Sequence, residues 1–209
     1  MKLGKFKVAL GAAALAGFLP VAALAGGGDV TAKAEYCTDC HGASGRGFVG
    51  WFPMPRIAGQ QKQYFQDQLQ DFQKKNREND IALIMSKVHA VSPSMGAALA
   101  QHFAHLNPPP IGDGPREFVG KGKKIYDEGA PERNVPACAG CHGEEAKGSD
   151  DFPRLAGQSY HYLVKELKNW SKERGQITKD AGEATMEPLA HALSDSQLKA
   201  VSAYLSTKR

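Results

Sequence analysis

Two copies of one short cysteine motif constrain this 209-residue chain more than any other feature. The four cysteines all fall in C-x-x-C-H units, each with a histidine directly after its second cysteine. The motif residues are Cys37, Cys40 and His41 in the first copy and Cys138, Cys141 and His142 in the second. Whatever fold the chain adopts must present two thiols and one imidazole together, once in each half.

Four chemistries use paired cysteines, and one of them needs every residue of this motif. A structural disulfide does not require the histidine, and a zinc site would force both halves to share one ion. A thioredoxin-like redox pair belongs to a βαβ context, which the sequence lacks. Cysteines three apart on a helical turn lie on one face, where both can bond the vinyl groups of one porphyrin. The next histidine then binds the iron, so the sequence predicts two covalently bound haem c groups.

Other segments of the chain repeat with the motifs. The motif residues recur 101 positions later, and PRIAGQ at 55–60 recurs as PRLAGQ at 153–158, 98 positions later. Met85 and Met186 return to a separation of 101. An offset that shifts by three and then recovers predicts one fold written twice, with a different loop length in each copy.

The two methionines of the repeat are the candidates for the sixth iron ligand. Met85 and Met186 each lie 44 positions after the motif histidine of their own half. A thioether ligand favours ferrous iron, raises the potential and leaves no open coordination position. A methionine that only fills the core is the alternative, and Met95 and His89 are the other candidates for the first haem.

Two prolines stand where a second support for the histidines is expected. A ligating imidazole usually donates its other N–H to an acceptor. The carbonyls of Pro55 and Pro153, 14 and 11 positions after their histidines, are candidates for this role. The alternative is that these prolines only shape the loop before the next helix.

Helical periodicity follows the same repeat, and no segment shows the alternation of a strand. The apolar positions at helical spacing are Phe65, Leu69 and Phe72; Leu99, Phe103 and Leu106; Leu163, Leu167 and Trp170; and Leu198, Val201 and Leu205. Ser92 with Pro93 predicts one helix start, and Ser194 with Gln197 predicts another. The chain therefore reads as two all-α domains, 26–106 and 116–209, joined by a stiff, proline-rich linker at 107–115.

The N-terminus has the layout of a secretory signal peptide at 1–25. Lys2, Lys5 and Lys7 precede an apolar run that ends in small residues at Ala23 and Ala25. Retention of residues 8–25 as a membrane anchor is the alternative. Removal would reduce the formal net charge from +4 to +1, so a nucleic-acid partner is not expected. The basic segment KKNR at 74–77 is interpreted as a solvated helix end.

With these features placed, the chain resembles the dihaem cytochrome c4 family over nearly all of its mature length. The resemblance rests on AKAEYCTDCHG, VPACAGCHG, the two PR(I/L)AGQ segments and ALSDSQLKAVSAYL at 192–205. It implies two tandem class-I cytochrome c domains related by a pseudo-twofold axis, with His/Met haems near their interface. It also implies electron transport in the periplasm toward a terminal oxidase. Only eleven residues of the mature chain precede Cys37, which predicts a short opening helix in the first domain.

The functional hypothesis is an electron carrier rather than an enzyme. If the irons of both haems are six-coordinate, no substrate can bind them and outer-sphere electron transfer is the remaining chemistry. The expected donor is a quinol-oxidising complex, and the expected acceptor is a terminal oxidase or reductase. A membrane contact is expected only as a peripheral association. One alternative is the dihaem subunit of an enzyme complex such as a flavocytochrome sulfide dehydrogenase. A dihaem peroxidase, which needs an open iron site, is the other.

Overall fold

Helices make up the regular structure in the part of the chain that the structure describes. The computed structural model describes residues 29–50, 52–77, 85, 90–174 and 181–209. The helices are α1 (Val30–His41), α2 (Lys62–Lys74), α3 (Pro93–Ala104), α4 (Arg116–Glu128), α5 (Ala139–His142), α6 (Tyr160–Lys168), α7 (Trp170–Glu173), α8 (Ala181–Ala192) and α9 (Asp195–Thr207). Only isolated β-bridges, and no strand, occur within those ranges. The predicted all-α class is confirmed.

Two sequence predictions concern residues outside these ranges. The signal segment at 1–25 is one, and His89 as a possible ligand is the other. Among the helices that are described, none combines the length and the apolar character needed to cross a bilayer.

Three of the described helices enclose the core of the first half. Its buried residues come from α1 (Ala34, Cys37), α2 (Phe65, Leu69) and α3 (Leu99, Ala100, Phe103). The rings of Phe65 and Phe103 stack with their centroids 5.7 Å apart, which joins α2 to α3. Leu106 lies just beyond the end of α3 and still packs against this core. The first cysteine of the motif is thus part of the core itself.

The core of the second half is built around the crossing of α4 and α9. Its buried residues include Ile125, Tyr126, Leu163, Ala200, Val201, Tyr204 and Leu205. Gly122 makes the crossing possible, because a Cβ at this position would lie 2.0 Å from the carbonyl oxygen of Ala200. A glycine at the contact therefore lets the two backbones approach more closely than any side chain would allow.

Both predicted helix starts are capped as the sequence indicates. Ser92 Oγ accepts a hydrogen bond from the Met95 backbone N–H at 3.2 Å, with proline in the first turn of α3. Ser194 and Gln197 form a complete capping box at the start of α9. These caps satisfy backbone donors that have no partner inside their own helix.

Besides Leu106, which lies beyond the end of α3, helix boundaries differ from the sequence predictions in two further places. α1 has 12 residues and runs through the first motif to His41, whereas α4 has 13 and ends at Glu128, well before the second motif. The opening helix of the first half is therefore not short, because the motif itself forms its last turn. In the second half α6 ends at Lys168, so Trp170 begins the separate helix α7 instead of continuing the predicted one.

The linker at 107–115 is packed against both halves. Arg56 and Arg46 donate to its proline carbonyls at 2.8 and 2.7 Å. The carboxylate of Asp113 accepts hydrogen bonds from the hydroxyl of Ser159 and from the first backbone N–H of α6, at 2.9 and 2.7 Å. Side chains of the first half and the start of a helix in the second half thus hold the same short segment.

Two glutamines join the halves by reciprocal hydrogen bonds. The side chain of Gln158 accepts from the backbone N–H of Arg56 at 2.7 Å and donates to its carbonyl at 3.0 Å. Gln60 makes the same pair of bonds to the backbone of Arg154, at 2.7 and 3.2 Å. These residues come from the repeated PR(I/L)AGQ segments, so each copy binds the other across the interface.

Candidate functional site

The first motif lies in the last turn of α1. Cys37 is buried, Cys40 is exposed and His41 has only 4% of its surface accessible. The Nδ1 atom of His41 lies 2.9 Å from the carbonyl oxygen of Pro55. An Nδ1–H that donates to this carbonyl leaves Nε2 as the ring nitrogen able to bind a metal.

The second motif forms the short helix α5 and has the same geometry. His142 is also 4% exposed, and its Nδ1 lies 3.1 Å from the carbonyl oxygen of Pro153. The histidine carbonyls match as well, since His41 accepts from the N–H of Gly47 and His142 from that of Gly148. The predicted role of both prolines as acceptors is confirmed by these contacts.

Burial sets the protonation of the motif side chains. It lowers the pKa of His41 and His142, although the bonds to the proline carbonyls act in the opposite direction. The neutral imidazole, which is the form that binds a metal, is therefore favoured. Burial also raises the pKa of Cys37 and brings that of Cys138 to about 11. Reactive thiolates require the opposite shift, so a thiol–disulfide redox role is disfavoured.

Both motifs open into one continuous cavity of about 580 Å³ between the halves. All four cysteines and both motif histidines line it, together with Met85 and Met186. The remaining walls are mostly apolar, with Phe65 and Leu99 on one side and Leu163 on the other. Each half therefore offers two thiols, one imidazole and one thioether to an apolar space. This donor set fits haem c, which needs thiols for attachment and axial nitrogen and sulfur ligands.

The other ligand candidates lie elsewhere. Met95 packs against the core of the first half and does not line the cavity. The four described histidines outside the motifs, which are His102, His105, His161 and His191, do not line it either. Met54 borders the cavity beside the first motif. Its sequence position gave no signal, because Met54 has no counterpart at the repeat offset.

A buried polar cluster at the same cavity was missed in the sequence. We call it the interface cluster, and its members are Tyr64, Gln68, Arg77, Tyr162, Glu166 and Arg174. The interpretation of 74–77 as a solvated helix end was wrong at Arg77, which is only 5% exposed. Its guanidinium lies 3.1 Å from the carboxylate of Glu166 in the other half. An ion pair formed across two halves of a chain leaves no local pattern in the sequence.

Repeat offsets could have revealed the interface cluster. Tyr64 and Gln68 recur 98 positions later as Tyr162 and Glu166, the same offset as the PR(I/L)AGQ segments. Arg77 recurs at an offset of 97 as Arg174. Polar residues that recur at the offset of a structural repeat are candidates for a symmetric contact.

Comparisons with known proteins indicate the family to which this chain belongs. Residues 119–208 match the family model for cytochrome c. Cytochrome c4 of Thiocapsa roseopersicina is 34% identical over 172 residues, covering 81% of this chain and 85% of that protein. The thiosulfate dehydrogenase electron acceptor of Stutzerimonas stutzeri is 34% identical over 186 residues, covering 86% of this chain and 82% of that protein.

The fold agrees as well. The solved structure of cytochrome c4 from Acidithiobacillus ferrooxidans superposes with a TM-score of 0.70 at 33% identity. That match covers 83% of this chain and 99% of the other. The chain therefore belongs to the cytochrome c4 family: it is a dihaem electron-transfer cytochrome of two class-I domains, with covalently bound haem c.

Proposed function

We propose that this chain is a periplasmic electron shuttle of a respiratory chain whose two irons are both coordinatively closed. The observation that carries the proposal is the placement of one imidazole and one thioether of each half at the same cavity. His41 and Met85 would bind the first iron, and His142 and Met186 the second. Cys37, Cys40, Cys138 and Cys141 would form the thioether links.

The protein's own residues then position and insulate the redox groups. Bound haem would supply a one-electron couple whose potential depends on the axial ligands and on the surroundings that the protein provides. The proline carbonyls fix the ring planes of His41 and His142. The mostly apolar walls exclude water from the cavity. With an imidazole and a thioether on each iron, no position would be left for a substrate, and the protein would act as an electron carrier rather than an enzyme.

The same proposal extends to the organisation of the chain. Residues 1–25 act as an export signal, 26–106 and 116–209 form one haem domain each, and 107–115 joins them. The separate cores of the two halves and the packed linker support this division.

Replacing each methionine tests the ligand assignment. We expect Met85→Ala and Met186→Ala each to remove the methionine–iron charge-transfer band of one haem and to lower that haem's potential, because a thioether raises it. Optical spectra and potentiometric titration of the purified holoprotein measure both effects. Met95→Ala is the matched control and should keep both bands.

A full charge-transfer band in Met85→Ala would contradict the assignment of the first haem. Rapid binding of carbon monoxide to the native ferrous protein would contradict closed coordination and return the peroxidase alternative. Retention of residues 1–25 in the mature protein would contradict their removal as a signal peptide and would favour the membrane-anchor alternative.

A second candidate concerns the electron donor. The likeness to thiosulfate dehydrogenase electron acceptors favours an enzyme that oxidises thiosulfate over a quinol-oxidising complex. Rapid mixing of the oxidised protein with purified thiosulfate dehydrogenase and thiosulfate tests this. Reduction at a rate that rises with enzyme concentration supports it. No reduction in that mixture, but rapid reduction by a quinol-oxidising complex, contradicts it.

A further inference from the structure

The interface cluster is nearly symmetric, and one residue breaks its symmetry. Each half contributes a tyrosine, an arginine and one acceptor at the same repeat position. That acceptor is the neutral Gln68 in the first half and the carboxylate Glu166 in the second. Among its six members the cluster therefore has one carboxylate for two guanidiniums, and Lys165 Nζ lies 4.0 Å from the Glu166 carboxylate at its edge.

Both arginines contact both acceptors. Glu166 Oε2 accepts from Arg174 Nε at 2.6 Å and from Arg77 Nη2 at 3.1 Å. Gln68 Oε1 accepts from Arg77 Nη1 at 2.7 Å and from Arg174 Nη1 at 3.2 Å. Because both acceptors bind the same two guanidiniums, a negative charge at either one lies beside the same pair of cations between the halves.

Burial makes this charge effective over a distance. Arg77, Glu166 and Arg174 are each 4–5% exposed. Burial alone would raise the pKa of Glu166, but the guanidiniums of Arg174 and Arg77 outweigh it and hold the pKa well below its usual range. The carboxylate is therefore ionised at neutral pH, in a region where charges are screened far less than at the surface.

The cluster faces the cavity that both motifs share. Gln68, Arg77, Glu166 and Arg174 line the same space as His41 and His142. Oxidation of either iron adds one positive charge, which a nearby buried anion stabilises. A charge placed between the halves acts on both irons in the same direction.

We propose that the negative charge of Glu166, at the centre of the interface cluster, lowers the reduction potentials of both haems. This inference rests on the proposed haem sites, although it does not depend on which residue is the sixth ligand. The repeat equivalence of Gln68 and Glu166 means that the charge can be removed, doubled or moved.

Potentiometric titration of the holoprotein tests the inference with three variants. Glu166→Gln removes the anion, and we expect both midpoint potentials to rise. The ratio of reduced to oxidised haem at a fixed ambient potential should increase by a factor on the order of three to ten. Gln68→Glu adds a second anion and should lower both potentials. The double variant Gln68→Glu/Glu166→Gln moves the charge and should return both potentials toward those of the native protein.

The double variant separates the effect of the charge from that of the side chain's shape. If Glu166 had only a structural role, moving the carboxylate to position 68 would not restore the native potentials. Unchanged potentials in both Glu166→Gln and Gln68→Glu would overturn the inference. So would a double variant that stays as far from the native potentials as Glu166→Gln. If Glu166→Gln does not fold, the Gln68→Glu variant decides, since a second carboxylate balances the second arginine.

Spectra of the same samples keep the two proposals apart. A missing methionine–iron band in the native protein contradicts the proposed ligands, whatever the variants do. If the methionine–iron band is intact but the midpoint potentials do not change in the charge variants, only the role of Glu166 is contradicted.

Discussion

Each motif histidine is held at two points, its backbone and the Nδ1 atom of its ring. The backbone of α1 or α5 fixes the Cα position, and a proline carbonyl 2.9 or 3.1 Å from Nδ1 fixes the ring. An imidazole constrained in this way presents Nε2 in one direction only. Both acceptors are backbone carbonyl oxygens, those of Pro55 and Pro153. The hydrogen bond therefore depends on the backbone path of the loop that carries each proline, and not on a side chain.

The ionised Glu166 predicts a specific response to acid. A folded-state pKa below the unfolded value of about 4.3 contributes stability that is present above that value and is lost as the pH falls through the folded pKa. We expect the unfolding free energy of the native protein to fall more steeply below about pH 4 than that of Glu166→Gln. Denaturant unfolding at a series of pH values measures the difference.

The exposed Glu35 provides the control for this experiment. Glu35→Gln makes the same change of side chain at an exposed position outside the interface cluster, so it measures the effect of the substitution by itself. Parallel curves for Glu166→Gln and the native protein would show that Glu166 does not contribute to the acid transition.

At the scale of elements, the crossing of α4 and α9 depends on one missing side chain. We expect Gly122→Ala to destabilise the protein by about 1–3 kcal/mol, since its Cβ would lie 2.0 Å from a backbone oxygen and the helices must separate. Thermal unfolding followed by circular dichroism measures the loss.

Gly120 is a matched control two positions earlier in the same helix. A Cβ there meets no atom within 4 Å, so Gly120→Ala should leave the stability unchanged or raise it by about 0.5–1 kcal/mol through helix propensity. Equal effects at both positions would mean that propensity, and not the close crossing, determines the result.

Helices and caps were predictable because their signals are local. Ser92, Ser194 and the apolar spacing of Phe65, Leu69 and Phe72 lie within one or two turns of the structure that they specify. The motif was predicted to form a helical turn, but the continuity of this turn with α1 was not predicted, because the motif residues carry no apolar periodicity of their own. The break before Trp170 was missed because its spacing alone fits a continuous helix.

The residues of the candidate site also divide into those that local signals predict and those that only the folded structure reveals. The cysteines, histidines and prolines follow from short spacings, and the methionines from the repeat. The interface cluster required knowledge of which faces of α2 and α6 meet. Arg77 ends a basic segment that looks exposed until the second half of the chain covers it.

At the scale of the whole molecule, the reciprocal glutamines determine how firmly the halves are joined. We expect Gln158→Ala to destabilise the protein by about 1–3 kcal/mol, because the buried N–H and carbonyl of Arg56 each lose a partner. Gln60→Ala should cost a similar amount through Arg154. Denaturant unfolding of the holoprotein measures both losses.

Gln63→Ala is the control, since that side chain is exposed and bonds only to Asp67 in its own helix among the described contacts. An unchanged unfolding midpoint in Gln158→Ala would show that the pairing contributes nothing to the docking of the halves.

The single carboxylate at the centre of the interface cluster also explains what fusion of two copies makes possible. A homodimer with a twofold axis must place identical side chains on both sides, so its centre holds two carboxylates or none. Two carboxylates would neutralise the pair of arginines, and none would leave both uncompensated. In a tandem duplicate the two copies can differ in sequence. Such a chain can hold a single carboxylate at the centre, which gives an intermediate charge that exact twofold symmetry forbids.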